Sequence, residues 1–418
     1  MKTKIICLIA FSVVIISCTE HEITYSNHEN LSFCKIRSYE EALKIAQSAL
    51  PMLDNTEKTR GTAPSRTIEV NSKKVFKIDP KTRTSSNIND TLIYVFNFEN
   101  NEGFVLVSAP KNAEGLLAIT ESGHCDPDTL SGIEGFDLFI DKAKEYIAGI
   151  SSLPADTLVN VFQEYQYNHN IVGPYVTVKW GQNYTEGEFC PNGICGCAAT
   201  AMAQAMSYYS YPSTMSLTYP DADISLQSFN WANIRSHNTK HHYDDCLITE
   251  KETHRSTSRL CRQLGHKANS DYRESGTWTS VSSLKNTMEN YGYNTIGWSQ
   301  FNSSTCIGQL DNQHVMIMYG NQNGENGHFW ILDGYDIADY YIYTYIQTGN
   351  SAPVLDHISG PHIANFNHLN WGWYGVNNGY FNMGVFNTSD VIFPDTPSNY
   401  VSYNFNHSLY TLTVYSME

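Results

Sequence analysis

A turn that leads into a helix of small residues, at positions 193–206, is the feature that most constrains the fold of this chain. Glycines punctuate the turn up to Gly196, and strong helix formers fill the positions after it. The residues that fall on one face of the predicted helix are Ala198, Ala201, Met202, Ala205 and Tyr209. Such a helix is expected to be buried along its length inside a globular domain, and to end before Tyr211 and Pro212.

The length and charge of the chain limit the classes of protein to which it can belong. At roughly 100 to 200 residues per domain, 418 residues predict two or three domains. Apolar residues make up 41% of the chain and charged residues 16%, which is the composition of a globular protein. The formal net charge is -16 and no basic run occurs, so we expect no nucleic acid partner.

The N-terminus predicts export. Lys2 and Lys4 precede an apolar stretch at 5–16 that is too short to span a bilayer, which is the pattern of a signal peptide over residues 1–17. The residues before Cys18 resemble a bacterial lipobox, whose cysteine is acylated. We therefore expect a lipoprotein of the bacterial cell envelope or surface, held to a membrane by a lipid on Cys18. Release of the mature protein into the medium is compatible with this anchor. The alternative is an ordinary signal peptide with an incidental cysteine.

The other cysteines are scattered along the chain. Of the ten cysteines, Cys7 leaves with the signal peptide and Cys18 would be acylated. The remainder could pair as disulfides in an exported protein, but a chain of this length does not need such bridges to be stable. We expect few disulfides and at least one free thiol.

Residues 18–168 are predicted to form a small α+β domain. Its predicted elements are a helix with capping-box residues Ser38 and Glu41, a short strand at 75–78, a hairpin of 92–98 with 103–108, and a helix at 137–147. Nothing in this domain is expected to be catalytic, because its cysteines and histidines are unclustered.

Residues 169–418 are predicted to form the second domain, which is also α+β. Trp, Gly, Tyr and Asn become abundant near Val172, and this change in composition places the boundary at about 160–175. A helix-rich half extends to about Asn290, and a strand-rich half with Gly and Asn turns follows it.

Cys197 is the candidate nucleophile. It lies at the N-terminal end of the predicted buried helix, where the helix dipole and free backbone N–H groups lower the pKa of a thiol and favour the thiolate. Two other interpretations remain open at this point. Cys197 could be a small buried side chain without chemistry, or a zinc ligand with Cys190 and Cys195, although no partner pair follows at zinc-finger spacing.

A thiol nucleophile needs an imidazole base, which folding brings from a distant part of the chain. His328 follows a turn at 324–327 and opens a strand predicted to be buried on both faces. Its alternative role is that of a hydrogen-bonded core histidine. Further along, Asn370 offers an amide oxygen that can accept the imidazole N–H, and Trp371 can shield that bond from water. As packing alone, these two residues belong to an aromatic strand.

These segments together resemble a known family. Residues 196–204, Gly327–His328 and Asn370–Trp373 resemble the streptopain family of papain-like bacterial cysteine proteases, in the same order along the chain. The runs at 94–98 and 103–108 are similar to the inhibitory propeptide of that family.

The resemblance implies a role for each residue of the site. The roles are nucleophile for Cys197, general base for His328, oxyanion donor for Gln182, and orientation and cover of the imidazole for Asn370 and Trp371. The role of Gln182 follows from the likeness of residues 180–182 to the family segment that precedes the nucleophile, where a glutamine and the nucleophile's backbone N–H hold the oxyanion.

The resemblance also implies a fold and a function. The fold is α+β, with a papain-like two-lobed catalytic domain at 169–418, made of a helical lobe and an antiparallel β lobe, after an inhibitory propeptide domain at 18–168. The function is that of a secreted cysteine endopeptidase made as a zymogen, which cleaves protein or peptide substrates, is inhibited by its own propeptide, and uses neither cofactor nor metal. Alternatives are a cell-wall amidase or transglutaminase-type thiol enzyme, and a catalytically dead surface binding protein.

Three features depart from the family pattern. Phe329 stands where a small residue usually follows the histidine, and Tyr374 stands where a glycine is common. The stretch at 268–279, which is expected to line the substrate pocket, is hard to align with the family. The pattern therefore predicts the chemistry but not the preferred side chains of the substrate.

Overall fold

A computed structural model describes most of the chain between residues 36 and 416. The described ranges are 36–53, 66–69, 74–77, 91–111, 113–129, 131–151, 161–214, 228–236, 251–322, 325–346, 354–385 and 409–416. The predicted signal peptide and Cys18 lie outside these ranges. None of the described helices is long and apolar enough to cross a membrane.

Helices occur in both predicted domains. They are α1 (Tyr39–Ser48), α2 (Glu134–Ser151), α3 (Cys197–Tyr209), α4 (Trp231–Ser236), α5 (Lys251–Lys267), α6 (Val281–Asn290) and α7 (Ser303–Asp311). The predicted capping box is confirmed, because Ser38 Oγ accepts the N–H of Glu41 and the Glu41 carboxylate accepts the N–H of Ser38. The end of α3 at Tyr209 also agrees with the prediction.

The strands include those predicted near residues 75–78, 92–98 and 103–108, and also two that were not predicted, Leu116–Thr120 and Val161–Val172. They are β1 (Lys74–Lys77), β2 (Thr91–Asn97), β3 (Phe104–Ser108), β4 (Leu116–Thr120), β5 (Val161–Val172), β6 (Asp271–Arg273), β7 (Gly276–Trp278), β8 (Asn294–Gln300), β9 (Val315–Gln322), β10 (Glu325–Ile346), β11 (Val354–Asn370), β12 (Gly379–Asn382) and β13 (Leu409–Tyr415). The predicted hairpin is confirmed as the antiparallel pair of β2 and β3.

Most strands belong to one antiparallel sheet that continues across the two predicted domains. Ten of its 11 strands follow the order β1-β2-β3-β4-β12-β11-β10-β9-β13-β8. The other strand, β5, pairs with residues 335–346, the C-terminal part of β10. The two domains join where β4 pairs with β12, with Thr120 opposite Gly379 and Ala118 opposite Phe381. Strands β6 and β7 form a separate hairpin. The α+β class predicted from the sequence is confirmed.

Three helices pack on the large sheet and form its cores. Helix α1 buries Ala42, Ile45 and Ala46 in a cluster with residues of β2, β3 and β10. Helix α2 brings the ring of Phe139 to 4.9 Å from that of Phe381, measured between ring centroids. Helix α3 is buried from Ala198 to Ser207, as its small residues predict. Because α2 belongs to the first domain and Phe381 to the second, this core joins the two domains.

Candidate active site

Cys197 is the first residue of α3, and its side chain is partly accessible to solvent. Gly196 precedes it with a φ of 85°, a conformation that favours glycine. A Cβ on Gly196 would lie 2.9 Å from the Cβ of Thr277, so only glycine fits between the nucleophile turn and the β6–β7 hairpin. Thr277 Oγ1 also donates to the carbonyl of Ile194 at 2.7 Å. The turn that presents Cys197 is therefore held by its neighbours.

His328 reaches the site from β10, where it pairs with Gly320 of β9 and is buried. Its imidazole lies beside Cys197, close enough for the two side chains to influence each other electrostatically. The structure thus brings the predicted nucleophile and the predicted base together. The imidazole Nδ1 lies 2.7 Å from Glu134 Oε2, and Nε2 lies 3.3 Å from the carbonyl oxygen of Trp371.

The surroundings of His328 favour its charged form. Burial by itself would lower the pKa of the imidazole, but the sulfur of Cys197 and the carboxylate of Glu134 raise it to about 10. The imidazole is then protonated at neutral pH. An imidazolium beside a thiol at a helix N-terminus favours the thiolate, which is the nucleophilic form.

Trp371 is fully buried next to His328 and belongs to one aromatic cluster with Trp330 and Phe381. Its contact with the imidazole is through its backbone carbonyl, and the covering role of its ring stays a prediction. Its indole N–H donates to the carbonyl of Asn377 at 2.9 Å, and its backbone N–H donates to Asn378 Oδ1 at 3.0 Å. The loop that carries these two asparagines therefore fixes the tryptophan.

Asn370 lies next to the site, but its amide bonds groups other than the imidazole. Its Nδ2 donates to the carbonyl of Val178 at 3.0 Å. Its Oδ1 accepts from Gln204 Nε2 and from the backbone N–H of Gly372, both at 3.2 Å. In this structure the carbonyl of Trp371 occupies the position near His328 Nε2 that the sequence assigned to Asn370.

Gln182 lies in the segment before the nucleophile turn and is buried. Its backbone carbonyl accepts the N–H of Cys195 at 2.7 Å, which ties it to the turn two residues before Cys197. Its side-chain Nε2 is buried and has no hydrogen-bond partner among the described residues. A buried donor of this kind is suited to an oxygen that becomes negative during a reaction.

Glu134 is the site residue that the sequence did not reveal. It begins α2 in the first domain, which was expected to contain no catalytic residue, and its side chain is 60% exposed. Burial raises the pKa of this carboxyl, but the hydrogen bond and charge of His328 outweigh that effect and bring the pKa below its usual value. The adjacent Gly135 lies against the rings of Trp371 and His328, since a Cβ there would be 2.5 Å from Trp371 Cε3 and 3.2 Å from His328 Cδ2.

A second contact between the domains lies behind the site. The carboxylate of Glu121 is 3.5 Å from His368 Nε2 and 3.3 Å from Lys179 Nζ, and His368 Nδ1 is 2.6 Å from Asp333. Burial raises the pKa of Glu121, but these two cationic partners lower it to about 2. The next residue, Ser122, donates to the carbonyl of Gly375 at 2.7 Å, close to the loop that holds Trp371.

The described cysteines are free thiols: Cys125, Cys190, Cys195, Cys197, Cys261 and Cys306. Within the described ranges, no three His, Cys, Asp or Glu side chains are grouped so that they could hold a metal ion.

Comparison with known proteins identifies two family matches. The model of the Peptidase C10 family matches residues 163–381, and that of the Spi protease inhibitor matches residues 34–147. Streptopain of Streptococcus pyogenes is 25% identical over 354 residues, which cover 75% of this chain and 79% of streptopain. The thiol protease/hemagglutinin PrtT of Porphyromonas gingivalis is 21% identical over 338 residues, covering 72% of this chain and 35% of that protein.

A solved structure of a prointerpain A fragment from Prevotella intermedia is also similar. It is 18% identical, with a TM-score of 0.48, and the match covers 82% of this chain and 98% of the fragment. Because the C10 model alone matches more than half of the sequence, the chain belongs to the peptidase C10 family, and it is a cysteine endopeptidase that carries its own inhibitory domain.

Proposed function

We propose that Cys197 and His328 carry out peptide-bond hydrolysis and that Gln182 stabilises the oxyanion. The observation that carries this proposal is the proximity of the His328 imidazole to Cys197, the first residue of α3. The buried Nε2 of Gln182, unpartnered among the described residues, supports the third role.

The proposed reaction has two stages. The proton of Cys197 resides on His328 in an ion pair, and the thiolate attacks the substrate carbonyl. Gln182 Nε2 and the backbone N–H of Cys197 bind the oxyanion, and His328 protonates the leaving amine. Water then hydrolyses the acyl-enzyme with His328 as base. Trp371 covers the imidazole, and Asn370 is proposed to accept its N–H once the inhibitory domain has left.

The inhibitory domain is proposed to act on the base rather than on the nucleophile. Glu134 holds His328 Nδ1, and Gly135 lets the start of α2 lie flat against Trp371. While α2 stays there, it occupies the position beside the imidazole that a substrate would approach. We propose that residues 18–168 are the propeptide, that residues 169–418 are the protease, and that cleavage between them releases α2.

Export as a lipoprotein is a separate part of the proposal. It is supported by the short apolar segment at 5–16 and by Cys18 at its end. The chain is proposed to reach the cell envelope with a lipid on Cys18, where its substrates are proteins or peptides. Labelling of cells with a radioactive fatty acid tests this, because wild-type protein should take up label and a Cys18→Ala variant should not.

The test of the proposed chemistry is hydrolysis of casein by the processed protein. We expect Cys197→Ala and His328→Ala to lower kcat by a factor on the order of 10³ or more, since each removes a member of one catalytic unit. Cys306→Ala is the matched control, because it removes a free thiol buried in α7, and it should retain activity. Casein cleavage by purified Cys197→Ala at the wild-type rate would show that the assignment of the nucleophile is wrong.

A further inference from the structure

Tyr374 has a backbone conformation that usually requires glycine. Its φ is 58°, in the left-handed region that side chains with a Cβ rarely adopt. The contacts of its side chain hold Tyr374 in this conformation. They involve Gly181 and Asn183, the two neighbours of the proposed oxyanion donor Gln182.

The ring of Tyr374 lies directly on Gly181. A Cβ on Gly181 would overlap Cε2 and Cζ of the ring, so the absence of a side chain at Gly181 makes room for the tyrosine. The backbone N–H of Tyr374 also donates to the carbonyl of Trp180 at 3.4 Å. One side of the segment that precedes Gln182 is therefore packed against Tyr374.

The hydroxyl of Tyr374 reaches the other side of Gln182. It donates to the carbonyl of Asn183, and it lies 2.8 Å from Asn183 Oδ1 and 3.2 Å from Glu186 Oε2. These three oxygens hold the hydroxyl beside the residues that follow Gln182.

Glu186 is the ionisable partner of this hydroxyl. It is buried, and burial raises its pKa to about 8, although backbone N–H groups and the Tyr374 hydroxyl partly offset the effect. The Tyr374 hydroxyl thus shares its proton between the carbonyl of Asn183 and the carboxyl of Glu186.

We propose that Tyr374, supported by Glu186, is a positioning residue for catalysis: it fixes the backbone on both sides of Gln182 and so aims the oxyanion donor. Tyr374 does not need to touch the substrate for this role. The inference rests on the proposed role of Gln182. Since the oxyanion forms only in the transition state, loss of the hydroxyl should lower kcat and leave KM nearly unchanged.

The test uses the full-length chain, processed in parallel for all variants and normalised by titration of Cys197. Tyr374→Phe keeps the ring and removes the hydroxyl. We expect its kcat for a peptide substrate to fall about tenfold, less than the roughly hundredfold loss typical when an oxyanion donor is deleted. Its rate of alkylation by iodoacetamide should match the wild type, because that reaction needs the thiolate but no oxyanion site. Glu186→Gln should lower kcat in the same direction by a smaller factor.

Two controls separate this role from a general loss of structure. Tyr335→Phe removes a hydroxyl bonded to Asp311 at 2.6 Å, elsewhere in the domain, and should keep the wild-type kcat. In a Gln182→Ala background, Tyr374→Phe should cause no further loss, because its effect passes through Gln182.

The inference is overturned if Tyr374→Phe keeps the wild-type kcat, or if its alkylation rate falls by the same factor as its kcat. It is also overturned if Tyr374→Phe lowers kcat by the same factor in the Gln182→Ala background as in the wild-type background. A wild-type protein whose hydrolysis survives alkylation of Cys197 would overturn the proposed function instead. A Gln182→Ala variant with full activity would exclude both the oxyanion role and the inference built on it.

Discussion

At the residue scale, the imidazole of His328 has two neighbours with opposite effects on activity. Cys197 is proposed to use the imidazole for catalysis, whereas Glu134 of the inhibitory domain holds it through an ion pair with a 2.7 Å contact. Both neighbours favour the protonated ring, so the electrostatics that prepare the thiolate also strengthen the contact with the inhibitor. On the proposed mechanism, activation requires that α2 leaves.

The ion pair predicts how the latency of the precursor depends on pH. His328 lowers the pKa of Glu134, so the charged carboxylate stabilises the docked inhibitory domain above pH 4.5, the ordinary pKa, and this stabilisation is lost as the pH falls through the lowered pKa. The pKa of His328 is raised, so the charged imidazole stabilises docking fully below pH 6.5, its ordinary pKa, and this stabilisation declines as the pH rises towards 10. Latency should therefore be strongest between pH 4.5 and pH 6.5.

Glu134→Gln tests this directly. Since Glu134 is largely exposed, the pair should be worth at most about 1 kcal/mol, so the precursor at pH 6 should be about fivefold more active than wild-type precursor. The measurement is precursor activity divided by that of processed enzyme at each pH from 3 to 8. Glu145→Gln, which removes a carboxylate paired with Lys142 on the same helix, should leave the ratio unchanged. Equal latency of Glu134→Gln and wild type across this range would refute the role of the pair.

Cys197 and His328, which the structure brings together, could be proposed from the sequence, and Glu134 could not. Cys197 begins a helix of small residues after a glycine turn, as predicted. His328 lies in a buried strand, as predicted, but that strand begins at Glu325, inside the stretch that was predicted to be a turn. Glu134 follows no such pattern, because an acidic residue in the first turn of a helix is ordinary. Only the docking of α2 brings it to His328.

At the element scale, the start of α2 decides how closely the inhibitory domain approaches the site. The apolar period predicts the helix from residue 137, whereas it begins at Glu134. Glu134 and Gly135 add no apolar residue to the pattern, and glycine is a poor helix former. Packing against Trp371 and His328 compensates for that low propensity, and the sequence of α2 alone does not contain this information.

Gly135→Ala should therefore weaken inhibition although alanine favours helix. The added Cβ would lie 2.5 Å from Trp371 Cε3, so α2 must shift away from the imidazole. We expect precursor activity to rise several-fold and limited proteolysis of α2 to become faster. Gly308→Ala in α7 is the matched control, since its Cβ would meet no atom within 4 Å, and it should leave latency unchanged. A Gly135→Ala precursor as latent and as resistant as wild type would contradict the proposed close approach.

At the scale of the whole molecule, the inhibitory domain and the protease share one sheet. The hairpin of β2 and β3 could be predicted, because its apolar and β-branched runs are visible in the sequence, whereas β4 was not predicted. The junction of the two domains could not be predicted either, because β4 and β12 are joined by backbone hydrogen bonds, which any pair of strands of suitable length can form. The contact of Glu121 with His368 and Lys179 then adds charge pairing beside this junction.

The shared sheet predicts a change in hydrogen exchange on activation. When the inhibitory domain leaves, β12 becomes an edge strand, and its amides that bond β4 lose their partners. Exchange of residues 379–381 should therefore become faster in the processed enzyme. Strand β9, which lies between β10 and β13, serves as the internal control and should keep its protection. Unchanged protection of β12 after removal of residues 18–168 would contradict the junction.

The most direct test of the account is the reaction of a peptide-like epoxide inhibitor with the full-length precursor and with the processed protein, with the labelled residue identified by mass spectrometry. The account predicts that the label goes to Cys197 among all cysteines, at least tenfold faster in the processed protein than in the precursor, and at an intermediate rate in the Glu134→Gln precursor. Label on another cysteine, or equal rates in precursor and processed protein, would contradict it.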